Sequence, residues 1–119
     1  MTVKEFLKET YKTKDINILD TNTFYSLIRP HIICNDGFRI SVQASNFNYC
    51  TPRENLANGE YTTVELGMPS EADDLIKEYA ENKSNYTHTI YAFVPIEIVE
   101  ELITKHGGIN CNETSGVNG

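Results

Sequence analysis

Apolar residues first recur at helical spacing at Val3, Phe6, Leu7 and Tyr11. Thr2 and Glu5 frame that start as a capping box, the Thr2 hydroxyl accepting from the Glu5 amide while the Glu5 carboxylate reaches back. The pattern predicts a helix from about 3 to 12, with Lys8, Lys12 and Lys14 loading its negative end. A short apolar run, Ile16 to Leu19, then carries Asn17 inside it. Asp20 to Thr23 offer caps for a short helix through Phe24, Tyr25, Leu27 and Ile28, which Pro30 ends.

The clearest β signal follows. His31–Cys34 and Phe38–Gln43 flank Asn35-Asp36-Gly37, a connection that supplies the positive φ of a tight hairpin. Phe38, Ile40 and Val42 alternate with Arg39, Ser41 and Gln43, so one face of that strand is core and the other wet. Residues 44–59 read as a long loop, a length that usually marks a functional or a mobile segment. Tyr61–Leu66 is a strand and Gly67-Met68-Pro69 a turn.

Ser70 is the expected cap of an acidic helix over 71–81, with Ala72, Leu75, Ile76 and Tyr79 as its apolar stripe. Tyr86–Val94, rich in Thr, Tyr, Ile, Phe and Val, predicts a strand. Pro95 opens a last helix whose Ile96, Val99, Leu102 and Ile103 face inward, with Lys105, His106 and Gly107-Gly108 closing it. The order implies an α+β fold: a mainly antiparallel sheet of about four strands with helices packed on one face. Residues 1–109 form one domain, and the Asn-, Ser- and Gly-rich 110–119 read as a flexible tail.

Charge changes the picture more than composition does. The chain of 119 residues has net charge -7, and it is unevenly spread: residues 1–53 are net positive, residues 54–119 strongly negative. Such an acidic side is poorly suited to grip phosphates and well suited to face a basic surface. No apolar run reaches the ~20 residues that span a bilayer. The charged start lacks a signal-peptide core, and three cysteines at unpatterned spacing read as free thiols, which together suggest the cytoplasm.

On a helical wheel Glu71, Asp74, Glu78 and Glu81 form one carboxylate row. Glu97, Glu100 and Glu101 lie opposite the apolar face of the last helix. Either these rows are ordinary solvated faces, or they dock a basic partner surface. The loop adds Phe47, Tyr49 and Arg53, residue types that anchor interfaces.

Catalytic and metal chemistry find less support. A nucleophilic Cys50 would need a nearby histidine or cation, and His31, His88 and His106 are all distant in sequence. A loop in which Arg53 and Glu54 pair locally is the simpler reading. His31 and Cys34 are spaced i, i+3, which puts them on opposite strand faces, and no paired zinc-ligand spacing occurs. No catalytic residue, metal site or cofactor is therefore assigned, and direct nucleic-acid binding is disfavoured by charge.

Asn35–Ala44, Tyr49–Asn55, Val64–Ser70 and Val94–Val99, with the ending Lys105-His106-Gly107-Gly108-Ile109, resemble small uncharacterised proteins of bacteriophages and prophages. The likeness covers about residues 31–109. Small acidic phage proteins include inhibitors of host defence, anti-CRISPR proteins among them, which implies a non-enzymatic inhibitor in the host bacterial cytoplasm. Its partner would be a host protein with a basic nucleic-acid-binding surface, such as a CRISPR effector. Two alternatives stand beside it: a small-ligand or enzymatic module in which Cys50, Arg53 and Glu54 of the 44–56 loop converge, and a homodimeric structural protein.

Overall fold

The computed structural model describes residues 1–11 and 28–117. Ile16–Leu19 and the short helix expected through Phe24, Tyr25 and Leu27 lie outside the described residues. The elements are α1 (Val3–Glu9), β1 (Ile32–Ile33), β2 (Arg39–Gln43), β3 (Thr63–Gly67), β4 (Ile90–Pro95) and α2 (Ile96–Lys105). The strands form one antiparallel sheet in the order β1-β2-β3-β4. The architecture is the expected α+β one. Val3, Phe6 and Leu7 of α1 and Val99, Leu102 and Ile103 of α2 join Ile40, Val42, Val64, Leu66, Tyr91 and Val94 of the sheet in a single core. No described helix is long and apolar enough to cross a membrane.

Local signals act as read at both ends. The Thr2 hydroxyl accepts from Glu5 N at 3.0 Å and Glu5 Oε1 from Thr2 N at 2.9 Å, completing the capping box. α1 stops at Glu9, short of the expected residue 12; Thr10 is its cap, with its hydroxyl donating to Phe6 O at 2.6 Å. The buried Arg29 completes that helix end: its guanidinium donates to Leu7 O, Thr10 Oγ1 and Ala44 O. The Asn35-Asp36-Gly37 turn closes with Gly37 at φ 95° and its amide on Cys34 O at 2.9 Å.

The acidic helix over 71–81 does not form. Its place is taken by tight i→i+3 turns (Ile76 N to Asp73 O, Tyr79 N to Ile76 O) and one 3-10 turn, Lys77–Tyr79. The physical reason is Asp73. Its carboxylate accepts from Leu75 N at 3.0 Å, a local bond that competes with helix formation. It is also drawn inward to His106 and Lys105. Of the expected apolar stripe only Ile76 is fully buried, and Ala72 is exposed.

The strand expected from Tyr86 begins at Ile90, because Asn82–His88 is spent on turns. β4 carries a bulge. Val64 pairs with Val94 and Leu66 with Tyr91, so two steps on β3 meet three on β4. Strict alternation would send Tyr91 and Val94 to opposite faces, yet both are fully buried in one core. Keeping either side chain buried is worth roughly 1.5–3 kcal/mol, and a slip would flip every side chain beyond it. That outweighs the roughly 1–2 kcal/mol of placing one L-residue, Phe93, at φ 52°.

Residues 110–117, which composition assigns to a flexible tail, fold back along β1. Cys34 bridges Ile109, Asn110 N donates to Ile33 O, and the buried Thr114 hydroxyl accepts from Ile33 N and donates to Ile33 O. The outer edge of β1 is thereby covered. The outer edge of β4 is engaged as well: Ala80 bridges Tyr91, Glu81 N donates to Ile90 O, and Phe93 N donates to Tyr49 O.

Candidate functional site: an aromatic surface at the β4 edge

The bulge that keeps Tyr91 and Val94 inside turns Phe93 outward, where it is 44% exposed. Its ring meets that of Tyr49, itself 39% exposed, with centroids 5.8 Å apart at 50°. The Arg53 guanidinium lies 5.3 Å from the Tyr49 ring centroid and donates to Asn48 O. Phe47, 54% exposed, sits two residues from Tyr49 on the same loop. Three large aromatic side chains and an arginine thus share a short stretch of loop and the strand edge beside it.

The scaffold beneath them is firmly tied. The Glu65 carboxylate on β3 accepts from Tyr49 N at 3.1 Å and Asn48 Nδ2 at 3.2 Å. Ser45 accepts from Phe47 N and donates to Asn48 Oδ1. Thr51 bridges Thr63, and the Thr51-Pro52 peptide is cis. The buried Tyr61 hydroxyl donates to Glu54 O and accepts from Leu56 N. Gly59, at φ 69°, lies so close to α1 that a Cβ there would stand 2.9 Å from Lys4 O. The 44–59 loop is therefore a packed platform.

The loop's polar residues do not converge on a reactive centre. Cys50 is buried, its Sγ 3.2 Å from Ser45 O and 3.3 Å from Pro52 O, and burial pushes its thiol pKa up, away from a reactive thiolate. Arg53 turns to Asn48 and Tyr49 rather than pairing with Glu54. Cys34 is buried too, its thiol pushed up to about 11 by burial and by Asp36. Among the described residues no group of three or more His, Cys, Asp or Glu is placed to hold a metal ion.

The seven acidic candidates are only partly available: the 71–81 row does not form, while Glu97, Glu100 and Glu101 lie on α2 away from its buried Val99, Leu102 and Ile103. Glu71, Asp74, Glu78 and Glu81 lie on turns rather than along one helix face. Asp74 pairs with Lys77 at 2.7 Å, and Glu100 Oε1 accepts from Val3 N at 2.7 Å, tying α2 to the start of α1. Glu71, Glu78, Glu81, Glu97 and Glu101 are exposed. Glu81 has a useful position: its amide is on Ile90 O, on the edge of β4 that ends in the Phe93–Tyr49 pair. The two anchor points are three positions apart on the strand, at most about 10 Å.

A second cluster escaped the sequence reading. His106, 6% exposed, places Nδ1 2.7 Å from Asp36 Oδ2 and Nε2 3.0 Å from Asp73 Oδ2. Its ring stacks on Phe38 at 3.9 Å and 8°. Lys105 adds a bond to each Asp73 oxygen, 3.1 Å to Oδ1 and 3.0 Å to Oδ2. Both carboxylates can accept from the ring only when both nitrogens carry protons, so the arrangement favours the imidazolium. Burial pulls its pKa down, but the bonds to Asp36 and Asp73 outweigh that and leave it above the ordinary 6.5. With no ring lone pair free, His106 is not poised as a general base. Phe93 was equally hidden, because nothing in Tyr-Ala-Phe-Val announces a bulge.

Comparison with protein-family models, with curated proteins and with solved structures finds no match.

Proposed function

We propose that this protein is a non-catalytic inhibitor that docks a partner protein through the Phe47, Tyr49, Phe93 and Arg53 surface. The observation that carries this reading is Phe93: a bulky residue held at φ 52° with its ring exposed against Tyr49. Left-handed backbone at such a residue is uncommon and concentrates at functional sites. Aromatic and arginine side chains on a rigid platform are the usual anchors of protein interfaces. Because backbone partners already occupy β1 and β4 at their outer edges, recognition falls to side chains rather than to strand addition.

Charge selects the class of partner. The net charge of -7, with exposed Glu78 and Glu81 along the same edge, complements a basic surface. Together with the resemblance to phage proteins, this favours the nucleic-acid channel of a host defence nuclease such as a CRISPR effector.

The test is affinity capture from bacterial lysate, then titration of the purified captured protein with and without its nucleic acid. Phe93→Gly combined with Tyr49→Ala is expected to weaken binding by about thirtyfold or more, the loss typical of interface hot spots. Nucleic acid is expected to compete. Unchanged affinity of the double variant, or simultaneous binding of nucleic acid and this protein, overturns the reading.

A further inference from the structure

The Asp36–His106–Asp73 cluster joins three parts of the chain far apart in sequence: the β1–β2 turn, the 70–76 segment and the end of α2. We propose that His106 is a proton-operated latch, whose charged ring fastens the β1–β2 turn to the end of α2 and whose neutral ring lets Asp36 go.

The argument is one of donors and acceptors. An imidazolium gives a proton to each carboxylate, whereas a neutral imidazole keeps one and turns a lone pair toward the other acid. The surroundings decide which bond survives. Asp73 is nearly inaccessible, its side chain 3% exposed. Leu75 N and Lys105 serve its Oδ1, but losing His106 would leave its Oδ2 on Lys105 alone among the described donors, where water cannot reach to replace the lost bond. The Asp36 side chain is 48% exposed, so water can replace His106 there. The neutral ring therefore keeps Nε2–H on Asp73 and releases Asp36. The Phe38 ring, stacked flat on the imidazole, holds it between the two acids throughout.

The charged and titratable groups around the ring act consistently. Asp36 from the turn and Asp73 from the 70–76 segment both favour the proton. Lys105, on the same helix, spends its charge on Asp73, and Asp74 faces Lys105 from further along. Cys34 lies near Asp36, with its thiol well above neutrality. Once Asp36 is free, the turn keeps Asn35 N on Gly108 O, Asn35 Nδ2 on Gly107 O and Asp36 N on His106 O. Release is thus a local loosening of residues 35–36 rather than an unfolding.

The experiment follows the His106 ring by NMR between about pH 6 and about pH 9 in the intact protein. Alongside it runs amide exchange at Asn35, Asp36, Leu75, Val64 and Leu66, corrected for intrinsic rates. The amides of Asn35 and Asp36 keep their acceptors, but those bonds open more often once the Asp36 carboxylate no longer braces the turn. Their exchange is therefore expected to rise about tenfold or more as the ring deprotonates, the ratio for losing one charge-assisted hydrogen bond. Leu75, held by Asp73, and the core amides of Val64 and Leu66 should quicken only by the factor that the loss of global stability over the same pH range accounts for, read from urea unfolding. Asp36→Asn should abolish the step and lower the midpoint of the ring. A ring titrating at or below 6.5, a flat exchange profile at Asn35 and Asp36, or a rise of equal size at Val64 and Leu66 overturns the proposal.

Discussion

Phe93 donates its backbone N–H to the carbonyl of Tyr49 at 3.1 Å, and the two rings meet 5.8 Å apart. One contact therefore does two things: it occupies a position on the β4 edge and fixes the aromatic pair that we assign to partner binding. The bulge, the loop and the exposed rings form a single unit, and each part can be tested separately.

Phe93→Gly separates stability from recognition. Glycine adopts φ 52° without a Cβ penalty, whereas Phe93→Ala keeps that penalty. The glycine variant should be more stable than the alanine variant by about 1 kcal/mol in urea unfolding. Both should lose binding equally, since both lose the ring.

Glu65 acts through the loop. Its carboxylate holds Tyr49 N and Asn48 Nδ2, so Glu65→Ala removes two charge-assisted bonds and should cost about 2 kcal/mol. Amide exchange at Tyr49 should quicken more than at Val64 or Leu66. Exchange rising equally at all three would place Glu65 in the core's stability rather than the loop's order.

The His106 cluster sets the pH dependence of stability on both sides. Hydrogen bonds from the Phe38 amide and then from His106 hold the Asp36 pKa below its ordinary 3.8. Burial pushes Asp73 up, but bonds from the Leu75 amide, His106 and Lys105 outweigh it and leave it lowered too. Stability from both acids is present above the unfolded carboxylate range and lost as pH falls through their folded values. His106 is raised, so its share is complete below 6.5 and lost as pH rises through its folded value. Urea midpoints should therefore pass through a maximum between the carboxylate range and the folded pKa of His106. Asp73→Asn should flatten that profile on both sides.

The thiols should differ sharply. Cys34 and Cys50 are buried with raised pKa values, while Cys111 is half-buried. A thiol reagent at neutral pH should label Cys111 alone in the native protein and all three cysteines in denaturant, read by mass spectrometry. Fast labelling of native Cys50 would revive an enzymatic reading of the loop.

Local chemistry alone determined the capping box at Thr2, the Asn35-Asp36-Gly37 hairpin, the amphipathic last helix and the alternation of β2 as far as Val42, whereas Gln43, expected on the wet face, is buried on the backbone of Arg29. Each of those signals acts over a few residues, so the sequence displays it whole. It also pointed to Phe47, Tyr49 and Arg53, because residue type and loop length are visible in one dimension. Tertiary structure decided the rest. Asp73 reads as a favourable first-turn acid of a helix, yet it meets His106 across 33 positions and the helix gives way. Phe93 reads as one more residue of an apolar strand, yet the bulge that keeps Tyr91 and Val94 buried turns it out. Thr114 reads as tail, yet its hydroxyl serves Ile33 at the sheet edge. In each case a buried contact distant in sequence is worth more than the local preference it overrides, and periodicity carries no record of such contacts.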